Sequence, residues 1–186
     1  MIILSLDPGF VATGILVYSV EKDEIIYLET VETQKSNKKN KLRVADDDYR
    51  RLQEIACKIE QIAKKYAPDL VIFEIPHGGA RNGRAARAMG LVTGLMAGTM
   101  ATLNLPTEIY SPADCKKATT GKLNASKSEV ERAVLNRFPN TPWPKVKKRR
   151  EHVIDAGSVL MVALKTSPIV KYGMSLVPKK TWETLM

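Results

Sequence analysis

Four residues of this chain are of the types that carry out metal-assisted hydrolysis together: Asp7, Glu74, His152 and Asp155. Asp7 ends the apolar run Ile2, Ile3, Leu4, Ser5, Leu6 and precedes Pro8-Gly9, while Glu74 ends Leu70-Val-Ile-Phe73 and precedes Ile75-Pro76. One such acid is ordinary, because Asp before Pro-Gly is good turn chemistry. Two are less so, since a carboxylate beside a core costs free energy unless it is paired or bound to a metal. His152 and Asp155 lie three apart and share one face of a helix, although acids near a helix start also serve as plain dipole partners. If that helix packs across the strands, three carboxylates and an imidazole meet at one crevice. The cluster would repel itself unless cations filled it, and oxygen donors with one nitrogen suit Mg²⁺ or Mn²⁺ better than zinc. Two such ions about 4 Å apart are the usual arrangement for phosphodiester hydrolysis.

The elements that must position these groups follow from hydrophobic pattern. The run at residues 2 to 6 is continuous rather than alternating, which predicts a strand covered on both faces, with Asp7 at its carboxyl end. Residues 13 to 20 and 24 to 33 are rich in Ile, Val, Tyr and Thr and predict two further strands, so the chain opens on an antiparallel meander. A helix is predicted over 46 to 66 from Leu52, Ile55, Ile59 and Ile62, then the strand ending at Glu74. Residues 85 to 103 read as a buried helix with Gly90, Gly94 and Gly98 on a close-packing face that can form a dimer seam. A short strand over 107 to 110, a helix capped by Ser111-Pro112, a helix over 127 to 138 with a capping box at Ser126 and Glu129, and a last helix over 151 to 164 complete an α/β chain. The tail from Lys165 has weak periodicity and is expected to be partly disordered.

Charge points to the partner. Lys and Arg number 29 against 20 Asp and Glu, a net charge of +9, which favours nucleic acid. The basic residues placed to meet phosphates are Arg81, Arg84 and Arg87 in the glycine-rich segment 77 to 87, then Lys116, Lys117, Lys122 and Lys127 around Thr119-Thr120-Gly121. Lys147, Lys148, Arg149 and Arg150 form the densest run, and the lysine-rich segment 34 to 45 reads as a solvated loop. Cys57 and Cys115 show neither disulfide nor zinc spacing. No apolar run approaches the roughly 18 residues of a membrane span, so a cytoplasmic protein without a leader is expected.

SLDPGFVATG at 5 to 14, VIFEIP at 71 to 76, TGKLNASKSEV at 120 to 130 and HVIDAGSVLMVAL at 152 to 164, in this order and spacing, resemble the RuvC family of Holliday-junction resolvases. The resemblance implies an RNase H-like fold, a mixed central sheet whose first three strands are antiparallel and the rest parallel, flanked by helices, over a nuclease domain at 1 to 164. It also implies a homodimer that nicks four-way DNA symmetrically and leaves 5′-phosphate and 3′-hydroxyl ends, with Asp7, Glu74 and Asp155 as metal ligands. Two departures stand out: many members carry an acid where His152 stands, and His77 falls where bacterial members often place an aromatic that wedges into the junction. A nuclease for flaps or forks, or an RNase H-like module that binds DNA or nucleotide without cutting, are the alternative expectations. The second glycine-rich phosphate loop of the related ATPases is absent from the sequence.

Overall fold

The structure is a computed structural model that describes residues 1 to 36, 42 to 75 and 82 to 176. Strands β1 (Ile2–Asp7), β2 (Ala12–Ser19) and β3 (Glu24–Glu32) form the expected meander, followed by helix α1 (Val44–Tyr66), β4 (Leu70–Glu74), α2 (Gly83–Leu103) and β5 (Thr107–Tyr110). Helices α3 (Pro112–Thr120), α4 (Lys127–Arg137), α5 (Lys147–Thr166) and α6 (Pro168–Ser175) complete the described chain. The sheet order is β3-β2-β1-β4-β5, with β1 antiparallel to β2 and parallel to β4, and β4 parallel to β5. This is the mixed sheet expected from the sequence.

Both faces of β1 are covered, which is why its apolar residues run without a break. Leu4 and Leu6 join Ile15, Val17, Val71 and Phe73 beneath α1 and α2, whereas Ile3 joins Leu16, Leu70 and Ile72 beneath α3, α4 and α5. Side chains alternate along a strand, so parity assigns each acid a side. Asp7 follows Ile3 and Ser5, and Glu74 follows Leu70 and Ile72, so both carboxylates fall on the α5 side. Ser5 confirms the assignment: its buried hydroxyl donates to the Ala156 carbonyl of α5 at 2.7 Å.

Two expectations need correction. The last helix begins at Lys147 rather than residue 151, so the basic run is its first turn, and no acid occupies that turn. Such charges oppose the helix dipole and are held instead by long-range partners, described below. Helix α2 is not buried: among its residues Val92, Met96 and Met100 form a single covered stripe, and apart from the helix's own backbone and chain neighbours no atom of the described residues lies within 4 Å of where a Cβ would stand on Gly90, Gly94 or Gly98. Its apolar composition reflects a face that none of the described residues covers. Helix α5 runs to Thr166 and is followed by α6, started by the Ser167 cap on the Val170 amide at 3.1 Å and anchored by fully buried Val170. Trp182 and the rest of the tail beyond residue 176 lie outside the described residues.

Candidate active site

Asp7 and Glu74 stand side by side because β1 and β4 are parallel neighbours in register, Leu6 beside Phe73, one residue before each acid. The turn after Asp7 is tight: a Cβ on Gly9 would stand 2.3 Å from the Ala12 carbonyl oxygen, and the Thr13 hydroxyl donates to the Gly9 carbonyl at 2.9 Å. On the other side of Asp7, β2 places Gly14 directly opposite it. A Cβ there would lie 2.0 Å from the backbone oxygen of His152, so only glycine allows α5 to come this close to the sheet. The glycine that follows Thr13 in the opening motif therefore brings His152 and Asp155 over the strand ends.

The resulting geometry is direct for one pair. His152 Nδ1 lies 3.1 Å from Asp7 Oδ2, with both groups partly buried. That hydrogen bond raises the imidazole pKa, with the Asp7 and Asp155 charges adding to it and burial opposing. Glu74 is pushed up to about 7, first by burial and then by the Asp7 charge, with Asp155 adding to it; the Cys115 thiol and Lys116 pull the other way. Asp155 is pushed up to about 6 by burial and again by Asp7, against Lys127 and His152. The acids thus feel one another across the crevice. Among the described residues no Lys or Arg forms an ion pair with Asp7, Glu74 or Asp155, and no three acid, imidazole or thiol groups are already spaced to hold an ion.

The donor set fits a hard divalent cation. Buried Glu74 and Asp155, whose pKa values the Asp7 charge helps to raise and which among the described residues form no ion pair with Lys or Arg, are stabilised by positive charge placed beside them, and oxygen donors with one imidazole suit Mg²⁺ or Mn²⁺. Cys115 was not legible as a site residue. It is 2 % exposed in the first turn of α3, its thiol donates to the Glu74 carboxylate, and burial raises its own pKa. A lone cysteine in a sequence gives no sign of this.

The basic candidates divide. Lys116 and Lys127 act on the site through space, on Glu74 and on Asp155 respectively. Lys117, Lys147 and Arg84 are exposed and, like Lys116 and Lys127, form no ion pair among the described residues. Lys122 is engaged with Glu129 at 2.9 Å. The dense run is largely neutralised: Lys148 and Arg149 reach Glu32 at 3.4 and 3.1 Å, and Arg150 reaches Glu131 at 2.7 Å. Those contacts fasten the start of α5 to β3 and α4, a role that the charge density of the sequence hides. Arg87 pairs with Asp48 at 2.9 Å. Arg81 and His77 lie outside the described residues, as do residues 37 to 41 of the lysine-rich segment.

A groove of about 750 Å³ opens from His152 along the β1–β2 turn to the starts of α1 and α2, with Phe10, Arg51, Arg84 and Arg87 among its walls. Among the described residues no single helix is long and apolar enough to cross a membrane.

Comparison with known proteins places the chain in a family. The family model for crossover junction endodeoxyribonuclease RuvC matches residues 3–164. A crossover junction endodeoxyribonuclease RuvC of Salinibacter ruber is 34% identical over 134 residues, 70% of this chain and 68% of the relative. That of Rhodopirellula baltica is 31% identical over 132 residues, 71% of this chain and 70% of the relative. In fold, the chain superposes on Thermus thermophilus RuvC in complex with Holliday junction substrate with a TM-score of 0.71 at 20% identity, covering 94% of this chain and 97% of that one. The yeast mitochondrial Holliday junction resolvase Ydc2 gives a TM-score of 0.62 at 12% identity, covering 93% of this chain and 81% of the other. With its strand-end acids, its glycine-seated helix α5 and a family match spanning both, the chain belongs to the RuvC family of crossover junction endodeoxyribonucleases.

Proposed function

We propose that this chain resolves four-way DNA junctions by paired, metal-dependent phosphodiester hydrolysis, with residues 1 to 164 as the nuclease domain. The observation that carries the reading is the convergence of Asp7 and Glu74, by strand parity, on the face of the sheet where Gly14 seats His152 and Asp155. Asp7, Glu74, Asp155 and His152 would hold two Mg²⁺ or Mn²⁺ ions. A divalent cation there supplies Lewis-acid stabilisation of the charge that builds on the phosphate and acidifies the attacking water. The Asp7 carboxylate orients the imidazole through Nδ1, and the Cys115 thiol fixes the Glu74 carboxylate. Lys116 and Lys127 draw the scissile phosphate toward acids that would otherwise repel it.

His152 gives the most direct test of the ligand set. His152→Asp keeps a donor at the position and retains cleavage, whereas His152→Ala lowers the rate about 10- to 100-fold. Rates at saturating Mg²⁺ and at saturating Mn²⁺ check this; an alanine variant as fast as the parent in both metals removes His152 from the ligands.

Backbone binding belongs to the unpaired cations. Replacing Lys116, Lys117 and Lys127 together by Ala lowers the slope of log affinity against log salt by about 2 to 3, because each phosphate contact releases about 0.9 counterion. Replacing Lys148, Arg149 and Arg150 instead lowers the unfolding temperature and changes the slope less. Salt titrations of binding to one four-way junction, made without divalent metal, compare the two triple variants.

Paired cuts need two sites, and the uncovered α2 face with Gly90, Gly94 and Gly98 suits a second copy of this chain. Among the described residues Gly94 has open space around it, so Gly94→Lys leaves the fold unchanged and converts the protein to a monomer that nicks one strand without pairing the cuts. Sedimentation mass together with the yield of doubly cut junction reads this out; a dimer that still cuts both strands together places the interface elsewhere.

A further inference from the structure

We propose that Arg51 is a positioning residue for the nuclease reaction, acting through Phe10 and the β1–β2 turn on Asp7. The inference rests on the reading of Asp7 as a cation ligand. Arg51 occupies the buried stripe of α1 together with Ile55, Ile59 and Ile62, where helical spacing calls for an apolar side chain, and it is 3 % exposed. Its Nε donates to the Thr33 hydroxyl at 2.9 Å and its Nη2 to the Phe10 carbonyl at 3.2 Å. The guanidinium carbon lies 4.1 Å from the centroid of the Phe10 ring.

Among the described residues the hydrogen bonds and the ring contact of this charge are with neutral groups. Among the described residues Arg51 forms no ion pair; Asp47 acts on it only through space, while the Asp47 oxygens accept from the Ser36 amide and from Arg50. A buried guanidinium held by neutral acceptors is a costly way to fill a helix stripe, so stability does not account for it. What it does hold is the turn. The Phe10 carbonyl also accepts from the Thr33 hydroxyl at 2.7 Å, and the Thr33 amide donates to the Val11 carbonyl at 2.9 Å. Thr13 fixes the same turn from its other side through Gly9. The four residues between Asp7 and β2 begin directly after the acid and are clamped from both sides, with the Phe10 ring pressed under Arg51 at the wall of the groove that leads from His152.

Arg is specific to this task because its planar fork can bond Thr33 and Phe10 while stacking on a ring, and lysine cannot do both. The test uses Arg51→Lys, Arg51→Met and the milder Thr33→Val in the full chain. For each, the single-turnover rate at saturating junction and Mg²⁺, the junction Kd without divalent metal, and the Mn²⁺ midpoint for raising the unfolding temperature without DNA are measured. We expect Arg51→Lys to lose about 10-fold or more in rate and to raise the Mn²⁺ midpoint several-fold, with Kd within about twofold. Thr33→Val moves both readings in the same direction by less, and Arg51→Met repeats the rate loss while keeping or raising the unfolding temperature. An unchanged rate and Mn²⁺ midpoint, with only the unfolding temperature altered, would reduce Arg51 to a structural residue and overturn the proposal. So would a weaker Kd with a shallower salt slope and an unchanged rate, which marks a phosphate contact. If the parent cuts no DNA, the Mn²⁺ midpoint still decides the positioning role separately from junction cleavage.

Discussion

Asp7→Asn binds a four-way junction at least as tightly as the parent and cuts it at least about 10³-fold more slowly, since a metal ligand contributes several kcal/mol to stabilising the transition state. Asp7 sits where every other site group meets it. It bonds His152 at 3.1 Å and is a cause of the raised pKa of both Glu74 and Asp155. Removing its charge while keeping its shape relieves the repulsion felt by an incoming phosphate, so affinity holds or rises as catalysis falls. The same change lets the Glu74 and Asp155 carboxyls return toward their ordinary range. Gel-shift affinity without divalent metal and single-turnover cleavage with it, on one junction preparation, separate the two effects. Parallel loss of affinity and rate would mean that Asp7 supports the fold and not the chemistry.

Without divalent cations the protein is most stable in mild acid and loses stability as pH rises toward neutrality. The sign follows from three groups. Glu74 and Asp155 have folded pKa values raised to about 7 and about 6, so between the ordinary carboxyl range and those values the folded state binds more protons than the unfolded one. Stability therefore falls through that window. His152 is raised as well, and the contribution it makes when protonated is lost as pH rises through its folded value, which is the same direction. Glu32, Asp47 and Glu129 are lowered by their partners and act oppositely, but their windows close by about pH 4 to 5. Solvent reaches part of the site and screens it, so the net loss from pH 5 to pH 8 is on the order of 2 kcal/mol, read as a fall in Tm of about 4 to 8 °C. Mg²⁺ or Mn²⁺ restores the lost stability at pH 8 and does little at pH 5, because ligand carboxylates must be deprotonated to bind. Glu74→Gln removes most of both effects. Scanning calorimetry across this range with and without metal measures them, and a metal-free Tm that climbs steadily from pH 5 to pH 8 contradicts the account.

The acids were legible because each closes an apolar run at a strand end, and the side on which they meet follows from counting alternate residues along β1 and β4. Ser126 with Glu129, and Ser111 before Pro112, announced α4 and α3 in the same local way, through capping chemistry contained within four residues. What the sequence hid depends on distant partners. The start of α5 was placed four residues late because its basic first turn contradicts the dipole rule and is held by Glu32 and Glu131, more than a hundred residues away in one case. Helix α2 looked buried because composition records that a face is apolar but not whether this chain or another covers it. Cys115 and Arg51 carry no local signal at all: one is a buried thiol that becomes a partner of Glu74 only when α3 packs beside β4, the other a charge in an apolar stripe whose acceptors come from two separate turns.

Junction resolution by this site is open to one direct measurement. Purified protein with Mg²⁺ is incubated with four-way, three-way, flap and linear DNA of matched sequence, each strand labelled in turn, and the cut positions and end chemistry are mapped. Paired nicks are expected at symmetric positions on opposed strands of the four-way junction, leaving 5′-phosphate and 3′-hydroxyl ends, with little cutting of the linear duplex. Flaps and three-way DNA cut as efficiently as the four-way junction, with unpaired nicks, or no cutting of any substrate under conditions where Mg²⁺ raises the Tm, would contradict it.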